Sequence, residues 1–211
     1  MSFLFAEVPL SAWAIVIALV LVAAVLFVIM RGQKRWSTRM LTTAAISIAL
    51  AFILSCIRLF KMPQGGSVTA ASTLPIFLFA YAYGTVPGLV AGIGYGLLQF
   101  IQDAYFVHPV QILLDYPLAF GLLALCGLGR KLPERYGLTV GIILGSLGRF
   151  VCATLSGIVF FADYAPAGQN PILYSIGYQA SYLIPEMVIC ILIGLIPQVK
   201  RTMLRLARET R

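Results

Sequence analysis

The sequence predicts an all-α polytopic membrane protein, and three observations carry that expectation. Hydrophobic residues make up 61% of the 211 residues and charged residues only 10%, against roughly 25% charged in an average soluble domain. Mean hydropathy is +0.97. Most of the basic residues fall in clusters between long apolar runs. A soluble chain of this size buries a good core but cannot cover it with so few charges, and the same arithmetic excludes disorder.

The net charge is +8, and its placement matters more than its size. Twelve of the 15 Lys and Arg residues form three clusters: Arg31 to Arg39, Arg130 to Arg135, and Lys200 to Arg211. Under the positive-inside rule these read as cytoplasmic segments. No basic surface alternates with exposed aromatics, so no nucleic-acid partner is expected.

The first apolar run, Ala12 to Met30, is too long for a signal-peptide core and lacks a basic segment before it and a cleavage site after it. It reads as a retained helix with the N-terminus outside. Leu41 to Ile57 then runs outward and ends at a polar Pro/Gly loop, Arg58 to Ser67. Ala70 to Tyr83 and Gly88 to Ile101 are short for independent spans, which predicts burial, a kink or a tilt. An outer loop with Gln102, Asp103 and His108-Pro109 precedes Val110 to Leu128, which returns inward. Thr139 to Phe161 runs outward, Asp163 to Pro171 forms a loop, and Ile172 to Ile196 returns to a basic cytoplasmic C-terminal tail. The expected architecture is one extra N-terminal helix plus six core segments, with all three basic clusters on one side.

Ionisable groups at membrane depth are costly and mark function by default. Asp115 lies inside an apolar run beside Tyr116, with Tyr105 in the loop before it. A carboxylate flanked by aromatics holds an organic cation by charge pairing and cation–π contact; it equally serves as an ion-pair partner for Arg149. Arg149 stands alone in its apolar run and needs a partner, Asp115 or Glu186. Tyr174, Tyr178 and Tyr182 recur at i, i+4 and i+8 on one helical face. Such a stripe is core or interfacial belt more often than ligand box, but Gln179 and Glu186 in the same run favour a polar cavity. Small residues separated by three others, at Ala45/Ala49, Gly92/Gly96 and Gly141/Gly145, permit close helix approach.

Walker A, HExxH and GxSxG motifs are absent, so no catalytic residue and no ATPase of the chain's own is expected. The four cysteines are far apart and have no zinc spacing, which makes them packing residues. No metal or cofactor is expected. His108 beside Pro109 reads as a turn or interface residue.

Four stretches together resemble a family. They are Met62-Pro-Gln-Gly-Gly-Ser-Val68 with Leu74-Pro75; Tyr105, His108-Pro109, Gln111 and Asp115-Tyr116; Ser156-Gly157 with Phe160, Phe161 and Tyr164; and Tyr174, Tyr178-Gln179 and Pro185-Glu186. In order and spacing they resemble the thiamine-specific substrate-binding (S) components of energy-coupling factor (ECF) transporters, over roughly residues 37–200.

The resemblance implies a six-helix vitamin-binding core over residues 37–211, with residues 1–36 an added helix and basic loop. It implies a multi-pass protein of a bacterial plasma membrane that captures thiamine from outside. The protein would dock on a shared module of one transmembrane coupling protein and two ATPases, and reorient in the lipid bilayer as ATP is used. Ala45 and Ala49 match the family's small-residue patch toward the coupling protein. The matching ligand positions are Tyr105, Asp115, Tyr116 and Tyr174, with Arg149 at a basic position and Gln179 where Asn occurs. The Met62 to Val68 loop is expected to serve as a lid or a plain turn. Ala153 stands where a ligand-contacting His occurs, and one lost hydrogen-bonding side chain costs about 1–3 kcal/mol. Either another residue compensates or the ligand is a thiamine relative, such as its pyrimidine precursor. A stand-alone proton- or cation-coupled transporter, with Asp115, Arg149 and Glu186 as relay, is the alternative.

Overall fold

A computed structural model describes residues 36–105, 107–166 and 168–210. The expected N-terminal helix Ala12 to Met30, and the cations Arg31, Lys34 and Arg35, lie outside the described residues.

Helix α1 spans Thr38–Ser55 and starts where the Ser37 hydroxyl accepts the Met40 N–H, an N-cap that satisfies an otherwise orphaned donor. A short hairpin follows, β1 (Arg58–Lys61) antiparallel to β2 (Ser67–Thr69). Helix α2 (Leu74–Tyr83) carries Pro75 in its first turn and buries eight of its ten residues, so it is a central strut with little side left for lipid. Gly84, at φ +99°, turns the chain directly into α3 (Thr85–Gln102).

Helix α4 (Val110–Lys131) is capped by His108, whose Nδ1 accepts the Val110 N–H. It is composite: a π turn over Leu114–Leu118 contains Pro117, and the last stretch, Leu122–Lys131, winds as a 3₁₀-helix. Helices α5 (Gly137–Phe160) and α6 (Pro171–Leu195) are long, and α6 starts on an Asn170 cap. Helix α7 (Pro197–Glu209) follows after a single residue.

Among the described residues four helices, α1, α4, α5 and α6, are long and apolar enough to cross a membrane. The chain is an all-α multi-pass membrane protein in which one of the expected core segments, α2, fills the interior, while α3 buries one side and exposes Val90, Leu97 and Ile101 on the other. Two of the small-residue pairs are used for close packing against α4. A Cβ on Gly92 or Gly96 would lie 2.4 Å from the Phe120 or Tyr116 carbonyl oxygen, and one on Gly141 or Gly145 within 2.7 Å of the Cys126 or Leu123 carbonyl. Backbone therefore meets backbone on two sides of α4, and any side chain at these positions would push the helices apart. The third pair, Ala45/Ala49, lies on the exposed face of α1, while Ala44 and Ala51 point inward.

Three sequence expectations are revised. The Arg58 to Ser67 loop contains strands. The segment expected as helix from Ala70 begins at Leu74, because Ser67–Thr69 pairs with β1. The basic tail is an ordered amphipathic helix rather than a plain tail; Leu204 and Ala207 pack into the core and Thr210 Oγ1 donates to the Ala82 carbonyl at 2.5 Å.

Candidate functional site

A cavity of about 210 Å³ opens at the hairpin end of the bundle. All six sequence-predicted positions, Tyr105, Asp115, Tyr116, Arg149, Tyr174 and Gln179, line it. They come from the α3–α4 connection, α4, α5 and α6.

Asp115 sits in the π turn of α4, where the extra residue and Pro117 interrupt regular hydrogen bonding. Its Oδ2 accepts the Gln111 Nε2–H at 2.8 Å, its one hydrogen bond within 3.5 Å among the described residues; the Ser156 hydroxyl and Arg149 are its other polar neighbours. Gln111 is 1% exposed. It also accepts the Val107 N–H at 2.8 Å and donates to the Tyr105 carbonyl at 3.3 Å. One buried amide thus ties the carboxylate to the loop that carries Tyr105. Tyr116 reinforces the same loop, its hydroxyl accepting the Tyr105 N–H at 2.9 Å and donating to the Asp103 carbonyl at 3.2 Å.

Arg149 does not take the expected partner. Among the described residues no ion pair within 4.0 Å joins it to Asp115 or Glu186. Its guanidinium lies over the Phe120 ring, 4.2 Å from the centroid, a cation–π contact that places the charge without neutralising Asp115. Glu186 belongs instead to the hairpin. At 3% exposure, its carboxylate accepts the Thr69 N–H at 2.7 Å, the Thr69 hydroxyl at 2.8 Å and the Ser72 hydroxyl at 3.4 Å. Ala71, within this turn, has φ +61°, a conformation unusual for a side-chain-bearing residue.

Aromatic rings form two walls. Tyr105 stacks on Phe161 with centroids 6.0 Å apart and planes 16° from parallel, and Phe161 contacts Tyr164. The Tyr105 hydroxyl donates to that of Tyr164, and this bond, with partial burial, raises its pKa to about 12, so the phenol is neutral at physiological pH. Tyr174, Tyr178 and Tyr182 form the other wall on α6. The hairpin tip lies between the walls. Tyr178 Oη accepts the Gln64 N–H and donates to the Gly65 carbonyl, both at 2.9 Å, and Tyr174 Oη donates to Gln64 Oε1 at 3.0 Å. Gly65 and Gly66 have φ of +85° and +82°, and a Cβ on Gly66 would lie 2.7 Å from the Tyr182 ring. Only glycine passes there. At the hairpin's base, Arg58 and Lys61 both donate to Asp103 Oδ2, at 2.5 and 2.8 Å.

Gln179 is buried; its Nε2 donates to the Ala153 carbonyl at 3.2 Å and its Oε1 accepts the Tyr182 hydroxyl. Its position beside Ala153 leaves the cavity wall there small and polar. The sequence marked Glu186 as a partner for Arg149, and marked Gln64 and Gln111 only as members of the family's stretches; it did not reveal that Gln64 and Glu186 anchor the hairpin or that Gln111 joins Asp115 to the Tyr105 loop. The stripe spacing marked Tyr178, but nothing in it told that its hydroxyl holds the hairpin.

The sequence matches the family model described as Thiamine transporter protein (Thia_YuaJ) over residues 41–206. The chain belongs to the thiamine transporter family. It is 34% identical over 163 residues to thiamine transporter ThiT of Bacillus subtilis (strain 168), which spans 71% of this chain and 84% of that protein. It is 31% identical over 179 residues to thiamine transporter ThiT of Lacticaseibacillus paracasei, spanning 74% and 85%. Its fold resembles the solved structure of ThiT from Listeria monocytogenes, with a TM-score of 0.69 and 25% identity, over 80% of this chain and 96% of that one. Membership in the thiamine transporter family makes the chain a transporter rather than an enzyme. The family match ends at residue 206, so it takes in every residue that lines the cavity, the hairpin and most of α7.

Proposed function

We propose that this chain is the membrane-embedded S component of an ECF-type importer, binding thiamine in the cavity beneath the hairpin. The observation that carries this is the pairing of a buried carboxylate, Asp115, which no described cation approaches within 4.0 Å, with two aromatic walls in one cavity. Thiamine's thiazolium is a permanent cation and its aminopyrimidine is flat. Asp115 supplies the counter-charge; Tyr105, Tyr116 and Tyr174 supply faces and hydroxyls; Gln179 and Arg149 supply hydrogen bonds at the deeper wall. The basic clusters support a cytoplasmic α7 end by the positive-inside rule, with the hairpin end and cavity mouth facing outside the bacterial cell.

The transmembrane coupling protein, which carries the two ATPases, would dock along α1, where Ala45 and Ala49 on the exposed face permit close helix approach. Thiamine is titrated against intrinsic tyrosine fluorescence of the purified chain, with hydroxymethylpyrimidine and riboflavin as controls. Tight, saturable quenching by thiamine that is lost in Asp115→Ala supports the reading. Binding of the pyrimidine alone moves the substrate to the precursor. Absence of binding by any of the three refutes the reading, and uptake into vesicles without partner proteins would instead support the gradient-coupled alternative.

A further inference from the structure

The end of the bundle opposite the hairpin carries cations that no carboxylate among the described residues neutralises. Both carboxylates described there are already engaged. Glu209 accepts from Arg39 at 2.8 Å and from Arg205 at 3.2 Å, and Glu134 accepts from Arg208 Nε at 2.8 Å. Arg130 turns inward to the Ala207 carbonyl. Lys131, Arg135 and Arg201 are exposed and form no ion pair within 4.0 Å among the described residues. Two hydrogen bonds, from Lys200 Nζ to the Arg135 carbonyl and from Arg208 Nε to Glu134, both at 2.8 Å, tie α7, which carries Arg201, to the α4–α5 connection, which Lys131 and Arg135 flank. At the hairpin end, by contrast, Arg58 and Lys61 share Asp103.

Depth follows from connectivity. One residue separates α7 from the 25-residue span α6. The apolar side of α7 is used up on the bundle through Leu204 and Ala207. Its outer side shows Arg201, Arg205 and Arg208 at i, i+4 and i+7, one face of the helix. A basic helix face at the mouth of a span lies in the headgroup layer.

We propose that this end of the molecule, between α7 and the α4–α5 connection, is a binding site for the phosphate groups of anionic phospholipids, with Lys131, Arg135 and Arg201 as its unneutralised cations. Each contributes on the order of fivefold to the preference for an anionic over a zwitterionic lipid at low salt. The site is independent of the cavity and of what the cavity binds.

The full chain is reconstituted in phosphatidylcholine bilayers with and without phosphatidylglycerol. Lipid retained after detergent extraction is counted by native mass spectrometry, and the thermal unfolding midpoint is recorded in both bilayers. Wild type retains phosphatidylglycerol selectively and unfolds at higher temperature in its presence. The triple variant Lys131→Gln, Arg135→Gln, Arg201→Gln loses most of that selectivity, with thiamine titration unchanged. Should the triple variant fail to fold, the surface variant Arg201→Gln alone shows the roughly fivefold loss. Raising salt from about 0.05 to 0.5 M erodes the wild-type preference, since the charges are exposed. Equal retention of both lipids by wild type overturns the proposal and leaves an acidic protein surface as occupant. A preference untouched by Arg201→Gln and the triple variant, or by salt, overturns it too.

Discussion

Replacing Glu186 with Ala tests whether the hairpin retains the ligand. The substitution removes the acceptor of the Thr69 N–H, at 2.7 Å, and of the Thr69 hydroxyl, at 2.8 Å. The hydroxyl keeps Ser72 Oγ as acceptor at 2.8 Å, but the buried N–H is left with none. An unpartnered buried donor costs about 1–3 kcal/mol, and losing a charge-assisted bond lies at the upper part of that range. The cost falls on the docked hairpin, because undocked Thr69 meets water. At 2–3 kcal/mol, thiamine dissociation accelerates roughly 30- to 150-fold. Stopped-flow displacement of bound thiamine, followed by tyrosine fluorescence, reads this directly. Glu186→Gln keeps a carbonyl acceptor and recovers most of the loss. Release within twofold of wild type from a folded Glu186→Ala protein would refute the reasoning, since the hairpin would then not hold the ligand.

Further outcomes follow from the same geometry. Asp115→Asn removes the counter-charge while keeping size, and weakens thiamine about 10- to 150-fold in titration, the worth of a hydrogen bond or contact to a charged group; an unchanged Kd would move the cation elsewhere. Gly66→Ala forces a side chain into φ +82° and 2.7 Å from the Tyr182 ring, so thiamine affinity falls at least about tenfold while circular dichroism shows the helices intact. Ala45→Leu with Ala49→Leu leaves thiamine titration unchanged and abolishes ATP-driven uptake in vesicles containing the coupling module; uptake at the wild-type rate would place docking on another face. The hydrogen bond from Lys61, with Arg58 beside it, holds Asp103 below its ordinary 3.8. A depressed carboxylate stabilises above its ordinary value and ceases to as pH falls through the lowered one. Protease cleavage of the hairpin is therefore flat from pH 7 to 5 and rises only below about pH 4, by a modest factor because Asp103 is 43% exposed. A change between pH 7 and 5 would assign the tether to another group.

The spans were legible because composition alone fixes them: a run of apolar residues about 20 long has few alternatives to a transmembrane helix. Gly92/Gly96 and Gly141/Gly145 were legible for the same kind of reason, since a repeated gap of four puts small residues on one helical face whatever packs there. The hairpin was not. Its strands are four and three residues long, and an isolated two-stranded ribbon is marginal in water. What stabilises it lies more than 100 residues away, in Tyr174, Tyr178 and Glu186 on α6. No window of local sequence contains both halves of that interaction. Helix α7 was hidden differently: its charges read as a tail until Leu204 and Ala207 were seen to face the core.

The candidate site shows why residue type was readable and partnership was not. A carboxylate and an arginine in apolar helices each demand a partner, and pairing them with each other is the economical guess. The chain instead satisfies them separately. Arg149 lies over the Phe120 ring, Glu186 accepts three hydrogen bonds from one turn, and Asp115 lines the cavity with one hydrogen bond, from Gln111, and no described cation within 4.0 Å. Had Arg149 closed on Asp115, a cationic ligand would need to break a buried ion pair before it could bind, and leaving the arginine unpaired costs about 3–5 kcal/mol. Separate satisfaction removes that barrier. It follows that Phe120→Leu, which takes the ring from beneath Arg149, frees the guanidinium to reach for Asp115. Thiamine binding should weaken in Phe120→Leu and recover in part in Phe120→Leu with Arg149→Gln, which keeps an amide donor in place of the guanidinium, although neither residue carries the counter-charge. Equal Kd values for wild type and Phe120→Leu would show that the ring only fills space.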